Sequence, residues 1–323
     1  MTVGSLPVGP DTGPAPSATP RVSILTATYN RSNVLRLVIE TVRRQTVTDW
    51  EWIIVGDACT DDTADVVAAF RDPRIRFVNL ERGYGEQSGP NNEAFRLSRA
   101  PALAYLAHDD LWLPDHLEVT LAGLRVTGAD FVFPLAETIL VGGDVRLLGA
   151  SPSERYVPYL YLAPSMWVLQ RELIEEFGPW RSARDLYEFP SEDLLFRIWQ
   201  AGKDMRLVPR LTVIVIPASL RVGSYANRDS WEHEAFVARM RDEPDFRERE
   251  LSVLALRYGT AQFSYVQTLA LVTRNAFRQG LAALGLRPMA VRRFLEHGRK
   301  GGMLNHVRRQ RGLPPIDWRE TRP

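Results

Sequence analysis

The apolar residues in the first half of the chain alternate between short continuous runs and helical repeats. Four runs of apolar and β-branched residues predict buried strands: 22–26, 52–55, 74–80 and 102–107. Helical spacing of apolar residues follows Ser32 and Thr60 and recurs in residues 92–99, while 82–90 has the composition of a loop. Strands that alternate with helices predict an α/β fold with a mostly parallel sheet flanked by helices.

The second half of the chain is less regular. Short strands are expected at 131–134, 138–141, 145–148, 165–169 and 211–216, with a hairpin turn at Gly142-Gly143. Serine before a helical repeat favours an N-cap, so Ser32 and Ser191 are the predicted caps of their helices. From about Trp231 onward the pattern is helical.

Length and composition predict one large domain with an appended tail. The 323 residues divide into a disordered leader over 1–20, an α/β domain over 21–225 and a helical, basic extension over 226–323. The sequence has no uninterrupted apolar run of about 18 residues, so no membrane-spanning helix is expected. Cys59 is the only cysteine and cannot form an internal disulfide, which favours a reducing, cytoplasmic location.

Charge is unevenly distributed. The formal net charge is +1, which gives no reason to expect a nucleic-acid partner. Residues 251–323, however, contain 13 Lys+Arg and 3 Asp+Glu, a local balance of +10. Two interpretations stay open: a surface that meets phosphates or an anionic membrane, and a solvated helical tail.

Polar clusters follow three of the predicted strands. They are Thr28-Tyr29-Asn30-Arg31, Asp57 with its neighbours, and His108-Asp109-Asp110. In sheets of this type, ligands bind outside the carboxyl ends of the strands. The three clusters should therefore converge on one crevice.

The carboxylates in these clusters suggest two kinds of chemistry. Asp109 and Asp110 are adjacent acids whose repulsion Mg²⁺ or Mn²⁺ would relieve, or they are a capping pair before the next helix. Asp57 could accept a hydrogen bond from a nucleotide base or ribose, or cap a helix. Asp193 could be a general base, or a carboxylate that only favours a helix start. The histidines lack the spacing of zinc ligands.

Four segments in order resemble the family-2 type of inverting glycosyltransferases with the GT-A fold. The matching segments are VSILTATYNR (22–31), WEWIIVGDACTDDT (50–63), YLAHDDLWLPDHL (105–117) and SEDLLFRIWQAG (191–202). The resemblance covers roughly residues 21–217. It implies a nucleoside-diphosphate sugar donor, of UDP or dTDP type, and a saccharide or lipid-linked acceptor in bacterial polysaccharide or glycoconjugate synthesis.

The resemblance also implies a role for each matching position. The residues expected to bind the donor are Thr28, Tyr29, Arg31, Asp57, Asn92, His108 and Asp110. Asp109 would hold a divalent cation, Mn²⁺ or Mg²⁺. Asp193, or in second place Glu192, would be the general base for a single displacement with inversion.

The sequence departs from the family pattern at two acids. Gly56 replaces the first acid of the pair that includes Asp57, and Ala107 or His108 stands where the first acid of the metal motif is expected. A working enzyme is favoured because Asp57 and Asp109 remain. The alternatives are a non-catalytic nucleotide-sugar-binding relative, a nucleotidyltransferase, and a scaffold that contacts a membrane through the basic end. An oligomer is compatible with all of them.

Overall fold

The computed structural model describes residues 19–151, 153–261 and 265–318, and most of the predicted leader (1–20) lies outside them. The strands of the described chain are β1 Val22–Thr28, β2 Trp50–Gly56, β3 Ile75–Asn79, β4 Ala102–Tyr105, β5 Asp110–Trp112, β6 Phe131–Ile139, β7 Val145–Leu148, β8 Val168–Gln170 and β9 Met205–Val215. Its helices are α1 Ser32–Arg43, α2 Thr63–Ala69, α3 Ser88–Leu97, α4 His116–Thr127, α5 Arg171–Phe177, α6 Pro190–Gln200, α7 Ser224–Asn227, α8 Trp231–Asp242, α9 Phe246–Ala261, α10 Tyr265–Ala283, α11 Pro288–His297 and α12 Gly302–Gln310.

These strands form one sheet in the order β3-β2-β1-β4-β8-β6-β9-β5, with β7 paired to β6. The strands β3, β2, β1 and β4 are mutually parallel, as are β6 and β9, whereas β8, β5 and β7 pair antiparallel. The predicted α/β fold with a mostly parallel sheet is confirmed. Strand order reverses between β1 and β4, which is where such sheets bind ligands.

Large aromatic side chains fill the core beside β4. Trp167 and Trp180 stack with ring centroids 5.3 Å apart, and Tyr105, the last residue of β4, lies 5.1 Å from Trp180. The indole N–H of Trp180 donates to the Tyr105 hydroxyl over 3.0 Å. These contacts fix the end of β4, from which the His108-Asp109-Asp110 segment starts.

Several local predictions were wrong. Neither Ser32 nor Ser191 caps its helix: Arg31 and Phe189 stand at those positions, and the Ser32 hydroxyl donates to Asp62 instead. Residues 131–134 and 138–141 belong largely to one strand, β6, because it pairs along most of its length with β9. The predicted hairpin turn at Gly142-Gly143 is confirmed, since both glycines have positive φ.

The end of the chain folds back onto the sheet. Val237 of α8 and Phe246 of α9 belong to the main hydrophobic core. The backbone N–H of Gly223 donates to Gln310, and that of Tyr225 donates to Arg311, over 2.9 and 3.2 Å. Residues 223–225 and the end of α12 are therefore held together. None of the described helices is long and apolar enough to cross a membrane.

Candidate active site

A cavity of about 240 Å³ lies at the carboxyl ends of β1, β2 and β4. Six of the predicted site residues line it: Thr28, Tyr29, Asp57, His108, Asp109 and Asp110. They meet because β1 is parallel to both β2 and β4, so these strand ends lie on one edge of the sheet. The structure therefore brings the three polar clusters into one crevice.

Asp57 organises the loop before α3. Its two carboxylate oxygens accept hydrogen bonds from the backbone N–H groups of Tyr84 (2.6 Å) and Gly85 (2.7 Å). Burial raises the pKa of Asp57, while these two donors act in the opposite direction. Asp57 thus shapes the wall of the cavity, and both of its oxygens already have partners.

The adjacent acids Asp109 and Asp110 have different surroundings. Asp110 is buried, and its carboxylate accepts from the Ser165 hydroxyl and from the Ile216 backbone N–H. Burial, and then the charge of Asp109, raise the pKa of Asp110 to about 8. One oxygen of Asp109 accepts from the Ala218 N–H over 3.0 Å. Asp109 is therefore the ionised member of the pair.

His108 and Asp109 are electrostatically linked to an arginine that follows α12. Burial acts to raise the pKa of Asp109, but His108, which is charged only at low pH, and the permanently charged Arg311 hold it below its usual value. Burial lowers the pKa of His108 to about 4, so its ring is neutral near pH 7. Its ring nitrogens lie 3.2 Å from the Ala27 carbonyl and 3.2 Å from the Tyr225 hydroxyl.

Tyr225 is a cavity residue that the sequence analysis did not identify. It stacks on Tyr29 with ring centroids 6.2 Å apart. Arg31 was expected along the nucleotide, but its buried guanidinium lies behind Tyr225, 5.4 Å from the ring centroid, and donates to the Ser224 carbonyl. Arg31 is not among the cavity-lining residues and instead supports Tyr225.

Asn92 is not brought to the cavity. Its side-chain N–H₂ donates to the Trp180 carbonyl over 3.0 Å, and its oxygen accepts from the Trp180 N–H over 2.8 Å. The two hydrogen bonds of this amide thus anchor the Trp180 backbone to α3. The neighbouring Asn91 lines the cavity instead.

The expected base, Asp193, is fully buried and ion-paired. Arg287 and Arg197 donate to its two oxygens, and Arg181 lies 3.5 Å away. Ser191 lines the cavity, but neither Glu192 nor Asp193 does. Successive helix residues are about 100° apart, so Asp193 projects from a different face of α6 than Ser191. The described conformation does not present Asp193 to the cavity.

Glu192 faces a smaller neighbouring cavity shared with Tyr161. One of its oxygens accepts from the Phe189 N–H over 3.1 Å, and the other is buried without a hydrogen-bond partner among the described residues. Burial raises the pKa of Glu192. Tyr161 lines both cavities and so lies between them.

Three further charged residues line the main cavity: Glu86, Arg308 and Arg311. One oxygen of Glu86 accepts from Ser88 and Ala183, and the other is buried without a partner among the described residues. The excess of basic residues in 251–323 was the feature of the sequence that pointed to these arginines. Binding of phosphates was one of two open interpretations of that excess. Glu86 lies in residues 82–90, which were predicted to form a loop without a site residue.

The side chains present fit a divalent cation only in part. Asp110 is committed to Ser165 and Ile216, and Ala107 or His108 stands where another acid was expected, so Asp109 is the carboxylate of this segment that is left for a cation. The described residues include no group of three His, Cys, Asp or Glu side chains that could hold a metal. Mg²⁺ often binds through one or two carboxylates plus substrate phosphates. Asp109 therefore fits a cation shared with a diphosphate.

The fold is that of an α/β protein with a cavity at the strand-order reversal of its sheet. Residues 23–175 match the family model of Glycosyl transferase family 2. Residues 23–175 are therefore similar to family 2 glycosyltransferases, and the fold is of the GT-A type, as the sequence motifs predicted.

Two curated relatives show how far the similarity extends. Validoxylamine A glucosyltransferase of Streptomyces hygroscopicus subsp. limoneus is 37% identical over 298 residues, covering 80% of this chain and 60% of the relative. The UDP-Glc:alpha-D-GlcNAc-diphosphoundecaprenol beta-1,3-glucosyltransferase WfgD of Escherichia coli is 29% identical over 173 residues, covering 51% of this chain and 67% of the relative.

A solved structure shares the fold. The crystal structure of S. aureus TarS 1-349 in complex with UDP-GlcNAc superposes with a TM-score of 0.52 and 16% identity, covering 73% of this chain and 70% of that chain. The matches thus cover 60% of the Streptomyces relative, 67% of WfgD and 70% of the TarS chain.

Proposed function

We propose that this protein is a nucleotide-sugar glycosyltransferase that moves a hexosyl group from a UDP-sugar, with a dTDP-sugar as the second choice, to an acceptor hydroxyl. The observation that carries the proposal is the convergence of Tyr29, Asp57 and Asp109 on one cavity within a family 2 domain. Both curated relatives are glucosyltransferases by name, which favours glucose as the transferred sugar.

The reaction is a single displacement with inversion. The acceptor oxygen bonds to the anomeric carbon, the bond from that carbon to the phosphate oxygen breaks, and the nucleoside diphosphate leaves with the bonding electrons. The acceptor proton passes to a general base. A divalent cation held by Asp109 and the diphosphate would offset the negative charge that develops on the leaving group.

Donor binding is assigned to two walls of the cavity. Tyr29 and Tyr225 form an aromatic wall against which a base or ribose packs. The second wall is the loop before α3, which Asp57 holds. In that loop, the oxygen of Glu86 that has no hydrogen-bond partner accepts a hydrogen bond from a hydroxyl or N–H group of the nucleotide sugar. Hydrogen bonding to the nucleotide was predicted for Asp57 alone. In this proposal Asp57 shapes the loop and Glu86 accepts the hydrogen bond.

Asp193 remains the proposed base on the strength of its position in the SEDLLFRIWQAG segment. Its ion pairs with Arg287 and Arg197 add a condition, because a carboxylate engaged by two guanidinium groups is not offered to an acceptor. The proposal therefore includes a change at the start of α6 that releases Arg287 when the acceptor binds.

The acceptor is proposed to be a saccharide-like molecule, either lipid-linked or free. The name of WfgD specifies a diphosphoundecaprenol-linked acceptor, and that of the Streptomyces relative specifies validoxylamine A. The lipid-linked choice is favoured by exposed apolar residues on α10, namely Leu269, Val272 and Phe277, close in sequence to Arg274 and Arg278. An apolar face with flanking arginines suits peripheral contact with an anionic bilayer.

Membrane contact is tested by flotation with vesicles that contain the anionic lipid phosphatidylserine. Replacing Leu269, Val272 and Phe277 together by serine should abolish flotation, whereas serine at the exposed Val126 and Val141 should not. Removing residues 251–323 is unsuitable because Arg308 and Arg311 line the cavity. Equal flotation of both variants would contradict this contact.

The proposed reaction is tested with purified full-length protein, Mn²⁺ and a panel of UDP-, dTDP- and GDP-sugars. A specific donor should raise the melting temperature and release nucleoside diphosphate when an acceptor is added. Excess chelator should lower turnover, and Asp109→Asn should lower it similarly. Absence of donor binding and turnover across the panel would favour a non-catalytic relative.

A further inference from the structure

Two arginines from the end of the described chain line the cavity at the family 2 site. Arg308 belongs to α12 and Arg311 follows it directly, whereas the family match ends at residue 175. Neither guanidinium forms an ion pair with a carboxylate of the described residues. Arginines on a cavity wall without acidic partners indicate that an anion belongs there.

Arg311 has more hydrogen-bonding capacity left unused by the described residues than Arg308 has. Its guanidinium lies 5.6 Å from the centroid of the Tyr225 ring, and its Nε is buried without a hydrogen-bond partner among the described residues. Arg311 lines the same cavity as Asp109, the proposed cation ligand, and its charge contributes to lowering the pKa of Asp109. An unmet N–H donor beside the metal carboxylate suits a phosphate oxygen.

Arg308 is fixed beside it. Its Nη1 donates to the Gly85 carbonyl over 2.6 Å, and its Nε donates to the Pro314 carbonyl over 2.8 Å. Asp57 acts electrostatically on Arg308, but no ion pair forms between them. Arg308 therefore joins α12 to the loop that Asp57 organises, and its positive charge remains available to the cavity.

A diphosphate in this cavity needs such positive charges because few of the lining carboxylates are left to hold a cation. With Asp110 committed to Ser165 and Ile216, Asp109 is the one carboxylate here assigned to a cation. A cation held by one protein ligand is weakly bound before the diphosphate arrives. Guanidinium groups are permanently charged and can bind phosphate oxygens in pairs.

We infer that Arg311, with Arg308 beside it, binds the diphosphate of the donor, so that the α12 segment is part of the donor site and holds nucleoside diphosphates without a metal ion. The inference rests on the proposed function, since it takes the donor to be a nucleoside-diphosphate sugar. It also gives the basic end of the chain a phosphate ligand inside the catalytic domain.

The test is calorimetric titration of UDP, UMP and uridine into full-length protein in excess chelator. Arg311→Gln should weaken UDP binding by about 10- to 100-fold, the loss expected for one charged hydrogen bond, and leave uridine binding unchanged. Arg311→Lys should recover part of the UDP affinity. Arg309→Gln is the matched control, because Arg309 is an exposed arginine in the last turn of α12, two residues before Arg311.

The outcomes separate the two proposals. If wild-type protein binds none of the three ligands or dTDP with or without Mn²⁺, the proposed function fails, and the inference fails with it. If wild-type protein binds UDP only when Mn²⁺ is added, or if Arg311→Gln binds UDP as tightly as wild type, only the arginine assignment is overturned. Equal loss of UDP and uridine binding would show that Arg311 only supports Tyr225, and would also overturn it.

Discussion

Arg308 donates a hydrogen bond of 2.6 Å to the backbone carbonyl of Gly85, and this contact joins α12 to the loop before α3. Asp57 holds the same loop through the N–H groups of Tyr84 and Gly85. The loop is thus held on one side by Asp57, which follows β2, and on the other by Arg308 of α12. Its shape, and that of the nucleotide wall, depends on both.

Asp57→Asn tests whether Asp57 shapes this loop or contacts the nucleotide. An asparagine has only one acceptor oxygen, so one of the two N–H groups loses its partner. We expect the free energy of unfolding to fall by about 1–3 kcal/mol, with a parallel loss of UDP affinity. Denaturant unfolding and UDP titration measure the two effects. Lost affinity with unchanged stability would mean that Asp57 binds the base directly.

Asn92→Ala tests the placement of Asn92 outside the cavity. The substitution removes both hydrogen bonds to the Trp180 backbone, so we expect a loss of about 1–3 kcal/mol in unfolding free energy and unchanged UDP affinity. Thermal unfolding with and without UDP provides both readings. A variant of normal stability that no longer binds UDP would restore Asn92 to the donor site.

Substitutions of Asp193 and of its partner Arg287 test whether Asp193 is the catalytic base or has only a structural role. Asp193→Asn should lower kcat by about 10²- to 10⁴-fold if Asp193 takes the acceptor proton. It should also destabilise the fold by about 3–5 kcal/mol, since Arg287 and Arg197 lose a buried partner.

Arg287→Gln is the matched variant, because it removes the ion pair to one oxygen of Asp193 while keeping the carboxylate. We expect it to be less stable than wild type but to retain its kcat. Steady-state kinetics below the melting temperature of every variant gives the comparison. Equal kcat losses in the two variants would assign Asp193 a structural role only.

Glu137 does not line the cavity, and it makes the stability of the fold depend on pH. It is fully buried on β6, and burial followed by the charge of Glu250 raises its pKa to about 8 from 4.5. A raised carboxyl pKa means that the folded state holds a proton that the unfolded state releases. Stability is therefore lost as pH rises from about 4.5 to about 8.

Glu137→Gln removes this titration. The melting temperature of the variant should equal that of wild type near pH 4.5 and exceed it increasingly up to pH 8. Melting curves across this range make the measurement, with the exposed Glu175→Gln as control. A difference that does not change with pH would exclude Glu137 as the cause.

Sequence patterns predicted what depends on neighbours in the chain. Apolar runs located β1, β2 and β4, and parallel pairing then placed Tyr29, Asp57 and Asp109 on one edge of the sheet. Those predictions needed only periodicity and the family motifs. The helix caps failed because the Ser32 hydroxyl found a tertiary partner in Asp62.

Contacts between distant segments were not predictable in this way. Tyr225, Arg308 and Arg311 reach the cavity because residues 223–225 bond to the end of α12, and no local pattern encodes that pairing. The same reason applies to Asn92, whose amide is occupied by a backbone 88 residues away. Only the excess of arginine at the end of the sequence indicated an anion there.

The most direct test of the central claim is a crystal structure of the full-length protein with UDP. We predict the base and ribose between Tyr29, Tyr225 and the loop held by Asp57, with the diphosphate between Asp109 and Arg311. UDP bound elsewhere, or with its diphosphate directed away from both Asp109 and Arg311, would contradict the account.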